Sequence, residues 1–224
     1  MQNINDTSTE LSTELFMELS LTDVNAMSKI FGSLFYFPLT HENNQAIIDL
    51  IKGSDDLEHN GFADFVHAVA SDTSDALNDD FFLLFEGGET MVAPPWGSVY
   101  LDKEQVVFGD STVRLRQFLR ANNIELNTGM REPEDQFGLM LFAISQLIEQ
   151  SQAYQSQQNV SEVQQQVETL FTDHLLPWCI HYLSLVEKHS TTDTYQHLAV
   201  LVKEWCVAVQ NAWQLTPLSL KVYR

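Results

Sequence analysis

The chain has 224 residues, 44% of them hydrophobic, which suffices for one sizeable core and excludes an intrinsically disordered protein. Its 31 acidic residues against 11 basic ones give a formal charge of −20, a surface that repels nucleic acid and anionic membrane and attracts a basic partner. Nine glycines and six prolines are too few for a sandwich or barrel of many tight turns, and no apolar run reaches the ~18 residues that a membrane-spanning helix needs.

Met1 to Glu10 is polar and lacks the basic-then-apolar order of a signal peptide, so a cytoplasmic protein is expected. Cys179 and Cys206 fit two buried thiols better than a disulfide framework. Residues 1–13 read as a loose tail, and Leu15, Phe16 and Leu19 begin an apolar pattern. A helix capped by Thr22 or Asp23 then carries Val24, Met27, Ile30, Phe31, Leu34 and Phe35 at helical spacing and ends before Pro38. Gly32 within it leaves room for a neighbouring helix. A short helix follows over His41–Ile51, then a stripe of Phe62, Phe65, Val66 and Val69. Asp72–Leu77 is a polar link that caps the next helix, whose Leu77, Phe81, Leu84 and Phe85 share a face and which stops at Gly87-Gly88. Asp79 and Asp80 in that helix are expected to bring negative charge up to the segment that follows.

That segment, Ala93–Gln136, is the least helical part of the chain. Pro94-Pro95 removes two backbone donors, Gly97 relaxes the backbone, and Trp96 and Tyr100 are amphipathic rings suited to recognition or to anchoring a loop. Val106-Val107-Phe108 reads as a short extended piece, and Gly109-Asp110-Ser111-Thr112 as a turn and N-cap. The helix after it places Val113, Leu115, Phe118 and Leu119 on one face and Arg114, Arg116 and Arg120 on another, where they are expected to pair with nearby carboxylates. Glu132-Pro133-Glu134-Asp135 opens the next helix, with proline and acidic groups both favourable at its first turn. Phe137, Leu141, Ile144, Leu147 and Ile148 form its apolar stripe. A Gln/Ser-rich connector over Gln150–Gln158 leads to a helix over Val160–Leu175, and Pro177 starts another. A last helix runs from Asp193 to about Gln214, closed by Pro217, with a short tail from Leu218 to Arg224. The expected fold is all-α, a bundle of about nine helices.

Catalytic patterns are missing. No phosphate-binding glycine loop and no Cys-x-x-Cys are present. His174 and His181 share a helical face but have no further metal ligand, and Cys179 diverges from His181. Glu134 and Asp135 have no accompanying nucleophile, and Ser98 lacks a His and Asp set. No cofactor, metal or catalytic residue is therefore expected.

Pro-Pro-Trp-Gly-Ser-Val-Tyr at 94–100, Phe-Gly-Asp-Ser-Thr-x-x-Leu-Arg-Gln at 108–117 and Glu-Pro-Glu-Asp at 132–135 together closely resemble the TorD/DmsD family, with the first and last motifs about 35 residues apart. The resemblance extends loosely from about Asn25 to Arg224. It implies a cytoplasmic chaperone that binds the twin-arginine leader of a molybdenum-containing oxidoreductase, one like dimethyl sulfoxide reductase. Such a chaperone holds its client until the cofactor is inserted and passes it to the Tat translocase, with transient association at the membrane. It implies one all-helical domain over 1–224, with sub-bundles of roughly 14–92 and 110–224 joined by a hinge at 93–109. A monomer is expected, with a domain-swapped dimer through the hinge as the alternative.

The resemblance places leader binding on Trp96, Ser98 and Tyr100 and on Glu132, Pro133 and Asp135. Glu134 and Asp135 would accept from guanidinium, and Phe81, Leu84 and Phe85 with Trp96 and Tyr100 would receive the leader's apolar segment. Phe81 stands where relatives often have Trp, and Glu89 where they have an aromatic. Gln136 replaces the family's usual histidine, which keeps hydrogen bonding but removes a titrating group. Two rival functions remain at this stage. One is a small nucleotide-hydrolysing enzyme using the Glu134/Asp135 region; the other is a helical scaffold that binds the mature reductase subunit.

Overall fold

The computed structural model describes residues 19–54, 57, 61–87, 91–126, 129, 132–154 and 157–224, with the side chains of 151–159 left aside. The N-terminal tail, Gly88 and Glu89 lie outside the described residues. Regular structure among them is helical apart from one isolated antiparallel bridge between Trp96 and Gln136.

Helix α1 (Leu21–Tyr36) is capped two or three residues earlier than expected. Ser20 accepts from the Asp23 N–H, and Asp23 returns the bond to the Ser20 N–H in a capping box. The helix ends before Pro38, where buried Asn44 of α2 (Glu42–Lys52) donates to the carbonyls of Ser33, Phe37 and Pro38. Helix α3 (Ala63–Ser71) buries Phe65, Val66 and Ala68. Helix α4 (Ser74–Phe81) is capped by Thr73 and runs into a π-helical turn, Phe82–Glu86, that ends at Gly87. That wider turn buries Leu84 and Phe85 and turns Phe82 and Leu83 outward.

The central segment forms a one-turn helix, α5 (Gly97–Leu101), and then α6 (Asp110–Ala121). Val106, Val107 and Phe108 are not an extended piece. They lie in an exposed turn with Gln105 at φ 53° and Phe108 at φ 61°. On α6 the inward face is Ser111, Thr112, Leu115 and Leu119, and Val113 is exposed, a correction to the expected stripe. Helix α7 (Phe137–Tyr154) follows, then α8 (Gln157–Thr169). A second π-helical turn, Leu170–Leu175, leads directly into α9 (Leu176–His189), which has Pro177 in its first turn as expected. Pro177 cannot donate to the preceding turn, and the wider ring ahead of it absorbs the loss. Helix α10 (Asp193–Ala212) is the longest.

One hydrophobic cluster takes in residues of every helix from α1 to α10. Helix α1 lies along α7, α9 pairs with α10, and α3 packs on α10. The α1–α7 approach rests on two glycines. A Cβ on Gly138 would meet the Gly32 carbonyl oxygen at 2.6 Å, and one on Gly32 would meet the Phe142 ring at 3.0 Å. Gly138→Ala therefore pushes against backbone that has nowhere to move, and is expected to destabilise the fold by about 1–3 kcal/mol. A urea midpoint equal to that of the unaltered protein would contradict this.

Candidate functional site

The two central motifs, distant in sequence, are hydrogen-bonded to each other. The Phe137 N–H donates to the Pro95 carbonyl at 2.7 Å, and the Gly97 N–H donates to the Asp135 carbonyl at 3.0 Å, on either side of the Trp96–Gln136 bridge. Prolines 94 and 95 have no N–H to give, which keeps this pairing to a single short stretch. Its position is set by close packing. A Cβ on Gly97 would meet Trp178 Nε1 at 2.9 Å, and Tyr100 stacks on Trp178 at 5.3 Å while its hydroxyl donates to the Pro94 carbonyl at 2.8 Å.

Asp135 sits beneath this pairing and caps α5 from outside the helix. Its Oδ2 accepts from the Ser98 N–H at 2.6 Å. The carboxyl is 3% exposed, and burial pushes its pKa above the usual aspartate value despite the opposing pull of the Ser98 and Thr112 groups beside it. Among the described residues, neither its Oδ1 nor the Ser98 and Thr112 hydroxyls complete a hydrogen bond of good geometry. A cleft of about 10 Å³, room for one water, reaches this carboxyl past Leu101, Arg114, Asp173 and His174. Burial lowers the pKa of His174.

The outer rim carries the charge. Trp96 is half-buried and its indole N–H donates to Glu132 Oε1 at 2.7 Å. Burial raises the Glu132 pKa, and the indole bond opposes that rise. Glu134 is held bidentately by Arg116, Nε to Oε1 at 2.6 Å and a terminal nitrogen to Oε2 at 2.7 Å. Burial alone would raise the Glu134 pKa, but this guanidinium overrides it and holds the carboxyl low. The arginine pairing expected of α6 is thus met at Arg116. Gln136 caps α7 by accepting from the Leu139 N–H at 2.9 Å, and its amide nitrogen reaches the Phe35 carbonyl at 3.5 Å.

The structure brings together Trp96, Ser98, Tyr100 and Glu132 through Gln136. It places Phe81, Leu84 and Phe85 in the aromatic core instead of on a surface, against Tyr195, Phe35 and Tyr182. Asp80 does not face this segment either, which corrects the expectation drawn from its position in α4. It is fully buried and accepts from the Thr191 and Thr192 N–H groups and the Thr192 hydroxyl ahead of α10. Asp102 was not singled out by the sequence, yet it takes both the N–H and the hydroxyl of Ser111 and so caps α6. The space it fills explains Gly109, whose Cβ would lie 2.1 Å from the Asp102 carboxylate. The only local signal was an aspartate a few residues ahead of a helix start.

The sequence model of the nitrate reductase delta subunit family matches residues 52–183. A Tat proofreading chaperone DmsD of Salmonella typhi is 30% identical over 210 residues, covering 91% of this chain and 96% of that protein. The chain belongs to the TorD/DmsD family. A probable Tat proofreading chaperone DmsD of Haemophilus influenzae is 34% identical over 139 residues, 62% of this chain and 61% of its own. A chaperone protein TorD of a Psychrobacter strain is 31% identical over 109 residues, 49% of this chain and 48% of its own. No helix among the described residues is long and apolar enough to cross a membrane.

The raised pKa of Asp135 has a sign that can be measured. A carboxyl that binds its proton more tightly folded than unfolded supports the fold below the ordinary aspartate range. That support is lost as pH rises through the folded-state value. Urea midpoints followed upward from about pH 4 are therefore expected to fall more steeply for the unaltered protein than for Asp135→Asn. Equal slopes would show that burial does not raise the pKa of this carboxyl.

Proposed function

We propose that this protein is a cytoplasmic chaperone that binds the twin-arginine leader of a molybdenum-containing oxidoreductase, as the relatives' names state a Tat proofreading role for them. The observation that carries this reading is the match to such a chaperone over 91% of the chain. It acts by binding alone. Holding the precursor while its cofactor is unfilled, and releasing it toward the Tat translocase afterwards, requires only a difference in affinity between two client states. Residues 93–109 would serve as the hinge between sub-bundles 14–92 and 110–224, within a monomer.

The rim geometry suits an arginine. Glu132 is bonded at the N–H edge of Trp96, so a guanidinium that pairs with this carboxylate would lie next to the ring and could turn onto its face. Glu134 would need Arg116 to swing away before it could serve, and Asp135 serves from below by fixing Ser98 and α5. Lysine cannot reproduce the planar, two-bond contact.

Calorimetric titration with a twin-arginine leader peptide, against a control carrying Lys-Lys, tests the reading at two salt concentrations. Tight, Arg-selective binding with modest salt dependence is expected. Equal, strongly salt-dependent binding of both peptides would reduce it to the attraction of a −20 chain for cations. Trp96→Ala is expected to weaken leader binding by roughly 1–3 kcal/mol, and a large fall in melting temperature without loss of affinity would return Trp96 to the core.

A further inference from the structure

Beside the Pro-Pro-Trp segment the protein lays down a non-helical peptide of its own, turned once where the Leu220 N–H donates to the Leu218 carbonyl at 3.0 Å. Past Ala212 the Trp213 indole donates to the Leu19 carbonyl and the Leu215 N–H to Gln210, and from there the chain runs without helix to Arg224. Three main-chain carbonyls hold this run. Thr172 accepts from the Leu218 N–H at 2.9 Å, Tyr100 accepts from the Tyr223 N–H at 2.9 Å, and Met91 accepts from the Arg224 guanidinium. The three acceptors come from the second π-helical turn, from α5, and from the approach to Pro94.

The grip is made on main-chain carbonyls, by two backbone N–H groups and the Arg224 side chain, with Val222 packed against the core. Leu218 and Leu220 are 48% and 40% exposed, and Lys221 and Arg224 are exposed as well. Main-chain carbonyls accept from any chain whose N–H groups reach them, and the Met91 carbonyl adds a place for guanidinium. The resident sequence, Leu218-Ser219-Leu220-Lys221-Val222-Tyr223-Arg224, alternates apolar and polar positions and carries two of the 11 basic residues of an acidic protein. Apolar residues beside arginine are also the chemistry of a twin-arginine leader. Tyr100 ties the two places together, since its carbonyl belongs to this row and its hydroxyl bonds Pro94 in the candidate site.

We infer that the carbonyls of Thr172, Tyr100 and Met91 form a binding track for an arginine-bearing peptide, with Leu218–Arg224 as its resident occupant, and that a client leader takes the track by displacing that segment. This rests on the leader-binding function proposed above. The occupant keeps the track closed to weak peptides, and the apparent affinity for a leader is lowered by the fraction of molecules in which the track is filled.

Hydrogen exchange on the full chain tests the displacement. Leader binding is expected to speed exchange at the Leu218 and Tyr223 amides. A full-length variant carrying Tyr223→Pro, which lacks the donor to Tyr100, and Arg224→Ala is expected to bind the leader about 10-fold more tightly at a similar melting temperature. Amides that stay protected in the complex, or equal or weaker binding by the variant, would overturn the displacement alone. Failure of both chains to bind any leader would overturn the functional reading beneath it.

Discussion

The pairing of residues 95–98 with 135–137 is the contact on which the site depends. It is short, because two prolines remove donors from one side, and it is held from beneath by a carboxylate and an aromatic layer in place of a longer ladder. Asp135 fixes α5, Gln136 fixes the start of α7, and Phe137 joins the ring cluster with Phe35, Trp178 and Tyr182. A local change at the pairing therefore reaches both α1, through α7, and α9, through Trp178.

Three adjacent carboxylates divide the work by their surroundings. Asp135 is buried and acts on the backbone of α5, Glu134 is neutralised by Arg116, and Glu132 sits at the rim beside an exposed edge of Trp96. Their sequence order gives no sign of this division: residues 132–135, expected to open the next helix, instead form a turn ahead of α7, which starts at Phe137, and in that turn neighbours differ in direction and depth. In a strongly acidic chain, the proposed arginine selectivity would come from a carboxylate fixed beside an aromatic ring, as Glu132 is by the Trp96 indole N–H.

The helix stripes were legible because period 3.6 survives in composition: Phe31, Leu34 and Phe35 of α1 and Leu141, Ile144 and Ile148 of α7 are all buried as their spacing requires. The meeting of the two central motifs was legible only through the family resemblance. Two kinds of feature were not legible at all. The π-helical turns at Phe82–Glu86 and Leu170–Leu175 leave no mark in the composition, although the buried face of Leu77, Phe81, Leu84 and Phe85 follows from their spacing alone. Capping from a distance was also hidden. Asp72, Asp80, Asp102 and Asp135 each accept from the start of a helix other than their own, and only the folded chain brings donor and acceptor together. The sequence marked Asp72 and Asp135 only as groups at the start of the helix that follows each, and it marked neither Asp80 nor Asp102 as a cap.

The central claim is that Trp96 and Glu132 act as one arginine-binding unit. A double-mutant cycle on leader affinity, with Trp96→Phe, Glu132→Gln and the two combined, tests it most directly, because phenylalanine keeps a ring but lacks the indole donor to Glu132. The account predicts that each single change weakens binding and that the combined loss falls short of their sum by about 0.5 kcal/mol or more. Additive losses, or no loss from either change, would contradict it.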